Sequence, residues 1–284
     1  RQSAGLGQAP EDRDADTYEH FNAFCDVAIV GGGIAGLLAA RAAGASGARV
    51  LLMEQTPHWG GRALVDGGSV DGQPVDKLVD ALLAELAEMP NVTLRNRMMG
   101  AGVYDHGYLL GYERLTDHAP LSATGPRHRL WRIRAGRILT ATGAIERPLS
   151  FAGNDVPGVM LAAAVRDYLV NFGVSVGDRV VVVTNNDDAY LTAIRLVEAG
   201  LSVPAIVDAR AGGAGELGAK AEGLGIRVLK GHGIARVKGR RRVTGVALCR
   251  QVGEGAVTEE LACDAVAMSG GWSPVVHLWS HCGG

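Results

Sequence analysis

The stretch DVAIVGGGIAGLLAARAA, Asp26 to Ala43, decides the fold class. A run of apolar residues stops at three consecutive glycines, and apolar residues at helical spacing follow. The glycines fit the pattern G-x-G-x-x-G through Gly31, Gly33 and Gly36. In this pattern the first glycine permits a sharp turn, the second lets the main chain approach a pyrophosphate, and the third lets the helix pack closely on the strand. The stretch therefore predicts a strand, turn and helix that bind a dinucleotide.

A carboxylate follows the glycines at the distance that this kind of site requires. Glu54 ends the next apolar run, RVLLME, about 20 residues after the turn. A carboxylate there accepts hydrogen bonds from both ribose hydroxyls of an adenosine and repels a 2′-phosphate. NAD or FAD is therefore expected, and NADP is not. Both share the ADP half that the turn contacts, so the turn leaves the choice between them open. The alternative is a tight structural turn with an incidental surface Glu.

A second strand, turn and helix has the same outline without the glycines. It reads VVVVTNNDDAYLTAIRLVEAG, Val180 to Gly200, and its turn holds Asn185 and Asn186 followed by two aspartates. Side chains there would occupy the space that phosphate oxygens need, and Asp187 or Asp188 is expected to cap the helix with its own carboxylate. This unit is therefore expected to keep the fold for packing or partner contact. A pocket for an uncharged molecule beside the two asparagines is the alternative.

The order of elements indicates two nested Rossmann-like dinucleotide-binding domains, each with an antiparallel meander. The first strand is expected near Cys25, and a third strand at Val92 to Met99 follows the helix Val75 to Met89. Alternating residues predict antiparallel strands from Val103 to Thr140 and again from Val228 to Gln251. Asp208, at the end of a strand in the second domain, is expected to be solvated. The predicted divisions are an N-terminal arm at 1–24, a first domain at 25–147, a second at 148–272 and a return segment at 273–284.

Composition excludes several classes of protein. The formal charge of −2 gives no electrostatic reason to bind nucleic acid or an anionic membrane. The longest apolar run, Val27 to Ala40, is shorter than the roughly 20 residues of a membrane span. The four cysteines form no C-x-x-C pair, which argues against a zinc site and a redox dithiol and favours reduced thiols in a cytoplasmic protein. The histidines have no metal-ligand spacing, so no metal is expected.

Two further positions are candidates for contact with the nucleotide. In WGGR, residues 59–62, Gly61 and Arg62 suit a second approach to the pyrophosphate, and a surface turn with a solvated arginine is the alternative. Met99, at the end of the predicted third strand, could meet an adenine edge, and a core methionine is equally consistent. No pair of titratable residues has the spacing of an acid and a base, so no catalytic residue is assigned.

These residues resemble two known families. GGGIAG, Glu54, GGR and an ATG strand at 141–143 resemble the two-domain flavin reductases of the pyridine nucleotide-disulfide family, whose cysteine pair and second glycine turn are absent here. A closer resemblance is to the α subunit of heterotetrameric sarcosine oxidase. It rests on the segments LTATGAIERPLSFAGNDVPGVMLAAAVRDYL, VVVVTNNDDAYLTAIRLVEAG and DAVAMSGGWSPVVHLWS, and it covers nearly all of Asp26 to Ser280.

That resemblance implies a function and a set of contacts. The family's α subunit binds NAD without covalent linkage, while flavins held mainly by its β partner and their interface oxidise sarcosine to glycine and formaldehyde and produce peroxide. Gln55, Thr56 and Arg62 differ in residue type from the family's pattern, so contacts at these positions would have to be made by the main chain. FAD at the same turn, in an amine or opine dehydrogenase subunit, is the rival expectation, and a scaffold with an empty site is a third. The implied cofactor-binding residues are Gly31, Gly33, Ala35, Gly36, Glu54, Gln55, Thr56, Gly61, Arg62, Met99, Thr142 and Gly143.

Overall fold

A computed structural model of the chain describes residues 11–120 and 124–283. They form two compact units. The first comprises the chain up to Leu64, Gly68–Thr142 and the chain from Val276, and the second comprises Val65–Gly67 and Gly143–Val275. The domain limits expected from the sequence remain predictions.

The first unit is built on a six-stranded sheet in the order β5-β2-β1-β8-β7-β6. Strands β5, β2, β1 and β8 run parallel, and β7 and β6 continue the sheet as an antiparallel meander. Its strands and helices, including the short α2 that ends in the second unit, are β1 (Tyr18–Val30), α1 (Ile34–Ala45), β2 (Val50–Met53), α2 (Ala63–Asp66), β3 (Ser69–Val70), β4 (Gln73–Pro74), α3 (Val75–Ala87), β5 (Val92–Arg95), β6 (Met98–Tyr104), β7 (Tyr108–Arg114) and β8 (His128–Thr140).

The apolar runs of β1 and β2 are continuous because both faces of these strands are covered. Leu52 packs with Leu37 of α1 and Leu82 of α3 on the helical face. Its neighbours Leu51 and Met53 belong to the cluster on the opposite face. Successive side chains of a strand point to opposite faces, so a doubly covered strand needs apolar residues at every position. The end of β1, where the glycines begin, lies inside the sheet between β2 and β8.

The second unit repeats this plan with a separate meander. A five-stranded parallel sheet has the order β10-β17-β11-β12-β13, and an antiparallel sheet has the order β14-β15-β16. Helices α4 to α6 cover one face of the parallel sheet, and the antiparallel strands contribute to the core on the other. Its elements are β9 (Ala144–Glu146), β10 (Val159–Leu161), α4 (Ala162–Phe172), β11 (Val180–Thr184), α5 (Asp188–Glu198), β12 (Ile206–Asp208), α6 (Gly215–Gly223), β13 (Val228–Lys230), β14 (His232–Gly239), β15 (Val243–Arg250), β16 (Val257–Leu261), β17 (Ala265–Ser269) and β18 (Trp272–Pro274).

After β18 the chain completes the first unit. The short helix α7 (His277–Ser280) places Leu278, which is 8% exposed, in the apolar cluster that contains Val30 and Met98. The ring nitrogen Nδ1 of His281 lies 3.4 Å from the N–H of Val103 and accepts its hydrogen bond. The core of the first unit therefore includes residues from far along the chain.

Three element limits differ from the sequence prediction. The first strand, expected near Cys25, begins at Tyr18, because it pairs with β8 from Tyr18 onward; residues 1–10 lie outside the described residues. The predicted third strand is two strands, β5 and β6, because Arg97 adopts a left-handed conformation between them, with φ of 54°. The antiparallel stretch expected from Val228 begins at His232, since β13 pairs in parallel with β12.

Candidate functional site

Two glycines of the first turn are required by the protein itself. Gly31 has φ of 109°, and a Cβ added there would lie 2.2 Å from the carbonyl oxygen of Ala141. A Cβ on Gly36 would lie 1.9 Å from the carbonyl oxygen of Gly31. Real atoms do not approach so closely, so any side chain at either position would push the turn, β8 or α1 out of place. These two glycines therefore shape the turn and the close packing of helix on strand.

Gly33 is different, because its open side faces no protein atom. It is the N-cap of α1 with φ of −70°, and a Cβ added there finds no heavy atom within 4 Å. No side chain caps α1, and its first turn contains no acidic residue. The first N–H groups of a helix have no partner within it and carry the positive end of its dipole. Ala35, in this first turn, is exposed. A bare main chain beside uncapped N–H groups fits a pyrophosphate.

The second pair of glycines packs on the first turn. The N–H of Gly60 donates to the carbonyl of Gly32 over 2.8 Å. A Cβ on Gly61, where φ is 54°, would lie 3.2 Å from the Cα of Gly33. Arg62, directly after this pair, is half-buried. Gly61 therefore packs against Gly33, and its approach to a pyrophosphate stays a prediction.

Trp59 is a part of this site that the sequence analysis did not assign. A Cβ on Gly32 would lie 2.5 Å from the indole ring of Trp59. The ring therefore lies against the Cα of Gly32 and belongs to the core beneath α1. The available signal was a large aromatic residue directly before a glycine pair, close to a second glycine turn.

Glu54 lies where the sequence placed it, with its carboxylate bonded to the main chain. The side chain is only 7% exposed. Oε2 accepts the N–H of Gly32 over 2.8 Å, and Oε1 accepts the N–H of Thr56 over 2.8 Å. Gln55 is exposed, and its carbonyl accepts a hydrogen bond from Arg114. The structure thus brings Glu54 and the glycine turn into direct contact.

The remaining predicted residues lie at the borders of this turn or apart from it. The main chain of Thr142 lies beside Gly31, at 3.3 Å from the position of an added Cβ. Gly143 is counted with the second unit, where its carbonyl accepts the N–H of Val275. Met99 is the second residue of β6 and is 45% exposed, whereas its neighbour Met98 is fully buried. Met99 is therefore neither a strand-end residue nor a core methionine, and a contact with adenine remains a prediction.

The second turn is filled by its own side chains. Asn186 donates from Nδ2 to the hydroxyl of Ser269 over 2.9 Å, and its N–H donates to the hydroxyl of Thr184 over 3.0 Å. Its Oδ1 accepts the N–H of Asp188 over 3.1 Å. The expected cap by Asp187 or Asp188 is therefore wrong, and the amide of Asn186 takes that place. The two carboxylates pair instead with arginines.

Asp208 is fully buried, so its predicted solvation is wrong. It accepts hydrogen bonds from the hydroxyl of Tyr190 over 2.8 Å and from the guanidinium of Arg210 over 2.8 Å. Burial opposes ionisation of this carboxyl group, but the hydrogen bonds from Arg210 hold its pKa below the ordinary value. Arg210 also pairs with Asp187 over 2.7 Å. In a nucleotide site a carboxylate at the end of this strand would face the ribose. Here the carboxylate of Asp208 is bonded to Tyr190 and Arg210 of the protein itself.

A buried arginine connects the start of α5 to the rest of the second unit. Arg166 of α4 is fully buried and donates from Nη2 to Asp188 over 3.0 Å and to Asp66 over 2.8 Å. Its Nη1 donates to the carbonyl of Asp188 over 2.9 Å. Buried charges persist only when paired and hydrogen-bonded, so these contacts hold α4 and α5 together.

The four cysteine thiols differ in their exposure to solvent. Cys25, Cys249, Cys263 and Cys282 are free, and only Cys282 is exposed. Burial raises the pKa of Cys25 and of Cys263 from the ordinary 9.0 to about 11. No group of three or more His, Cys, Asp or Glu residues that could hold a metal ion occurs in the part of the chain that the structure describes.

This difference gives a prediction for labelling with a disulfide reagent at pH 8. Because the thiolate is the attacking form, a pKa near 11 lowers its fraction roughly 100-fold below that of a thiol at 9. In the native protein we expect Cys282 to react quickly and Cys25 and Cys263 to react at least about 100-fold more slowly. Peptide mass spectrometry after timed labelling measures each rate. If Cys25 and Cys263 were labelled at the same rate in the native protein as after unfolding in urea, the prediction would be wrong.

The chain folds into two Rossmann-like units, and the first carries the glycine turn of a dinucleotide-binding fold. The profile of the FAD dependent oxidoreductase family matches residues 26–106. The thioredoxin reductase of Lactococcus lactis superposes with a TM-score of 0.66 at 21% identity, over 91% of this chain and 81% of that chain. The fold class expected from the sequence is confirmed. No helix in the described parts of the chain is long and apolar enough to cross a membrane.

The relatives of this chain include subunits of sarcosine oxidases and opine oxidases. The sarcosine oxidase α subunit of Rhizobium meliloti (strain 1021) is 40% identical over 285 residues, which covers this whole chain and 28% of that protein. An opine oxidase subunit of Agrobacterium tumefaciens (strain Ach5) is 28% identical over 201 residues, or 69% of this chain and 39% of that protein. The resemblance to the sarcosine oxidase α subunit is confirmed. The chain spans less than a third of the length of these sarcosine oxidase relatives.

Proposed function

We propose that this chain is the nucleotide-binding region of the α subunit of a sarcosine oxidase and that it holds NAD, without a covalent bond, at the turn from Gly31 to Gly36. The observation that carries the proposal is the open side of Gly33 at the start of α1, which no side chain caps, in the turn whose Gly32 N–H is bonded to the buried Glu54. The main chain of the turn would bind the pyrophosphate, and Glu54 would accept the ribose hydroxyls. Gly61 would approach the phosphates from the other side.

In this proposal the chain binds and orients a nucleotide within a larger complex. Other subunits of a hetero-oligomeric flavoprotein would carry the flavins that oxidatively demethylate sarcosine to glycine, formaldehyde and hydrogen peroxide. A nicotinamide or flavin ring supplies hydride chemistry when bound. No residue of this chain is assigned a catalytic role. A cytoplasmic location is part of the proposal, and four unpaired thiols suit a reducing compartment.

The test is the identity of the small molecule that leaves the heat-denatured protein. We expect mass spectrometry of the supernatant to find NAD in a nearly one-to-one ratio to the chain, because the main chain of the turn would hold the diphosphate and Glu54 the ribose. The protein should be colourless when purified without its partners. Absence of any nucleotide in native and NAD-incubated samples would contradict the proposal.

A second candidate is FAD at the same turn, in a subunit of an amine or opine dehydrogenase or of another pyridine nucleotide-disulfide-type oxidoreductase. The family profile over residues 26–106 and the similarity to the opine oxidase subunit favour it. The lack of a C-x-x-C pair argues against disulfide chemistry. A yellow preparation with flavin absorbance, and release of FAD on heating, would establish this candidate and exclude NAD.

A further inference from the structure

Hydrogen bonds hold both the main chain and the side chain of Glu54. Its N–H donates to the carbonyl of Arg95, and its carbonyl accepts the N–H of Met98, each over 2.8 Å. Its two carboxylate oxygens each accept one main-chain N–H, from Gly32 and from Thr56. At 7% exposure, the side chain has little freedom to choose other partners. The direct partners of the carboxylate are therefore main-chain N–H groups of the protein.

Gly32 is fixed on three sides. Its N–H donates to Glu54, its carbonyl accepts the N–H of Gly60, and the ring of Trp59 lies against its Cα. The carbonyl of Gly32 belongs to the peptide that continues into Gly33. The orientation of that peptide determines where the N–H of Gly33 points and which side of Gly33 stays open. Glu54, Trp59 and Gly60 together set this orientation.

We propose that Glu54 is a positioning residue, which aligns the turn for a diphosphate through the N–H of Gly32, in addition to any contact with ribose. This inference rests on the proposed nucleotide site. A carboxylate has about four acceptor positions, and the main chain uses two of them, so ribose hydroxyls can bind without breaking either bond. Loss of the carboxylate should therefore weaken the binding of a diphosphate even when the ligand has no ribose hydroxyls.

The test compares two ligands in two variants. ADP and its 2′,3′-dideoxy analogue share the diphosphate and differ only in the ribose hydroxyls. In Glu54→Gln the amide oxygen of the side chain can still accept one of the two N–H groups. The amide NH2 group faces the other N–H, and because both are donors no hydrogen bond forms there. We expect calorimetric titration of nucleotide-depleted protein to show at least about tenfold weaker binding of both ligands, since a hydrogen bond to a charged group is lost. Glu88→Gln, which changes an exposed carboxylate of the same unit, should leave both affinities unchanged.

The outcomes separate the two proposals. An unchanged affinity for the dideoxy analogue in Glu54→Gln, with a weaker affinity for ADP, would overturn the positioning role and leave the nucleotide site intact. Failure of the unmodified protein to bind ADP would instead overturn the proposed site. Faster hydrogen exchange in the peptide that contains Gly32 is expected in Glu54→Gln and not in Glu88→Gln. If Glu54→Gln does not fold, Glu54→Asp, which keeps the charge but is one methylene shorter, should show the same loss for both ligands.

Discussion

Gly33→Ala is expected to keep the fold and to lose the nucleotide. The position has φ of −70°, and an added methyl group finds no protein atom within 4 Å, so alanine fits without strain. Alanine is a poorer N-cap than glycine by up to about 1 kcal/mol, but it restricts the unfolded chain by a similar amount. The melting temperature should therefore change by no more than a few degrees. The methyl group lies where a phosphate would approach, so NAD affinity should fall by about 100-fold, or about 2.7 kcal/mol.

The matched control is Gly36→Ala in the same turn. Its methyl group would collide with the carbonyl of Gly31 at 1.9 Å, so this variant should lose stability together with binding. Calorimetry for NAD affinity and thermal unfolding for stability distinguish the two variants. Full NAD affinity in a stable Gly33→Ala protein would mean that the phosphates do not approach this glycine.

Arg166→Met should destabilise the protein by about 3 kcal/mol. The guanidinium is fully buried, and its removal leaves Asp188 and Asp66 without their shared cation. Breaking a buried ion pair costs about 3–5 kcal/mol, and we take the low end because the two carboxylates are 22% and 28% exposed. Urea unfolding followed by circular dichroism measures the change in the free energy of unfolding.

A double-variant cycle tests whether this loss comes from the ion pair. Asp188→Asn removes one of the charges that Arg166 holds, so Arg166→Met in that background should cost at least about 1 kcal/mol less. Arg240→Met, at the exposed tip between β14 and β15, is the control and should change stability by less than about 0.5 kcal/mol. Equal losses with and without Asp188→Asn would mean that Arg166 stabilises the unit through packing alone.

The strands and helices of each unit were predictable because they depend on residues that are close in sequence. A continuous apolar run identified β2, and helical spacing identified α3, since both patterns follow from which faces are covered. The glycine turn could be interpreted residue by residue because Gly31 and Gly36 each meet a different steric requirement of the protein, whereas Gly33 faces open space. The distance to Glu54 followed from the length of one helix and one strand.

The errors concern partners that are distant in sequence. Tyr18 to Asn22 is polar enough to suggest an arm, and it becomes a strand only because β8 is there to pair with it. Asp208 was expected in solvent, because the hydroxyl that binds it belongs to Tyr190 of α5, 18 residues earlier in the sequence. Asp187 or Asp188 was expected to cap the helix, but their carboxylates pair with Arg210 and Arg166 instead. In each case a tertiary contact outweighed a local preference.

The position of Leu278 in the core of the first unit has a consequence for synthesis of the chain on the ribosome. The sheet that carries the glycine turn emerges early, but the residue that fills the apolar space beside Val30 and Met98 is translated only after all of β9 to β18. Until then that part of the nascent core stays open to water and to chaperones. Completion of the core of the first unit is therefore delayed until the inserted segment has been made, and a translational stop before Val276 should release a chain with an incomplete first unit.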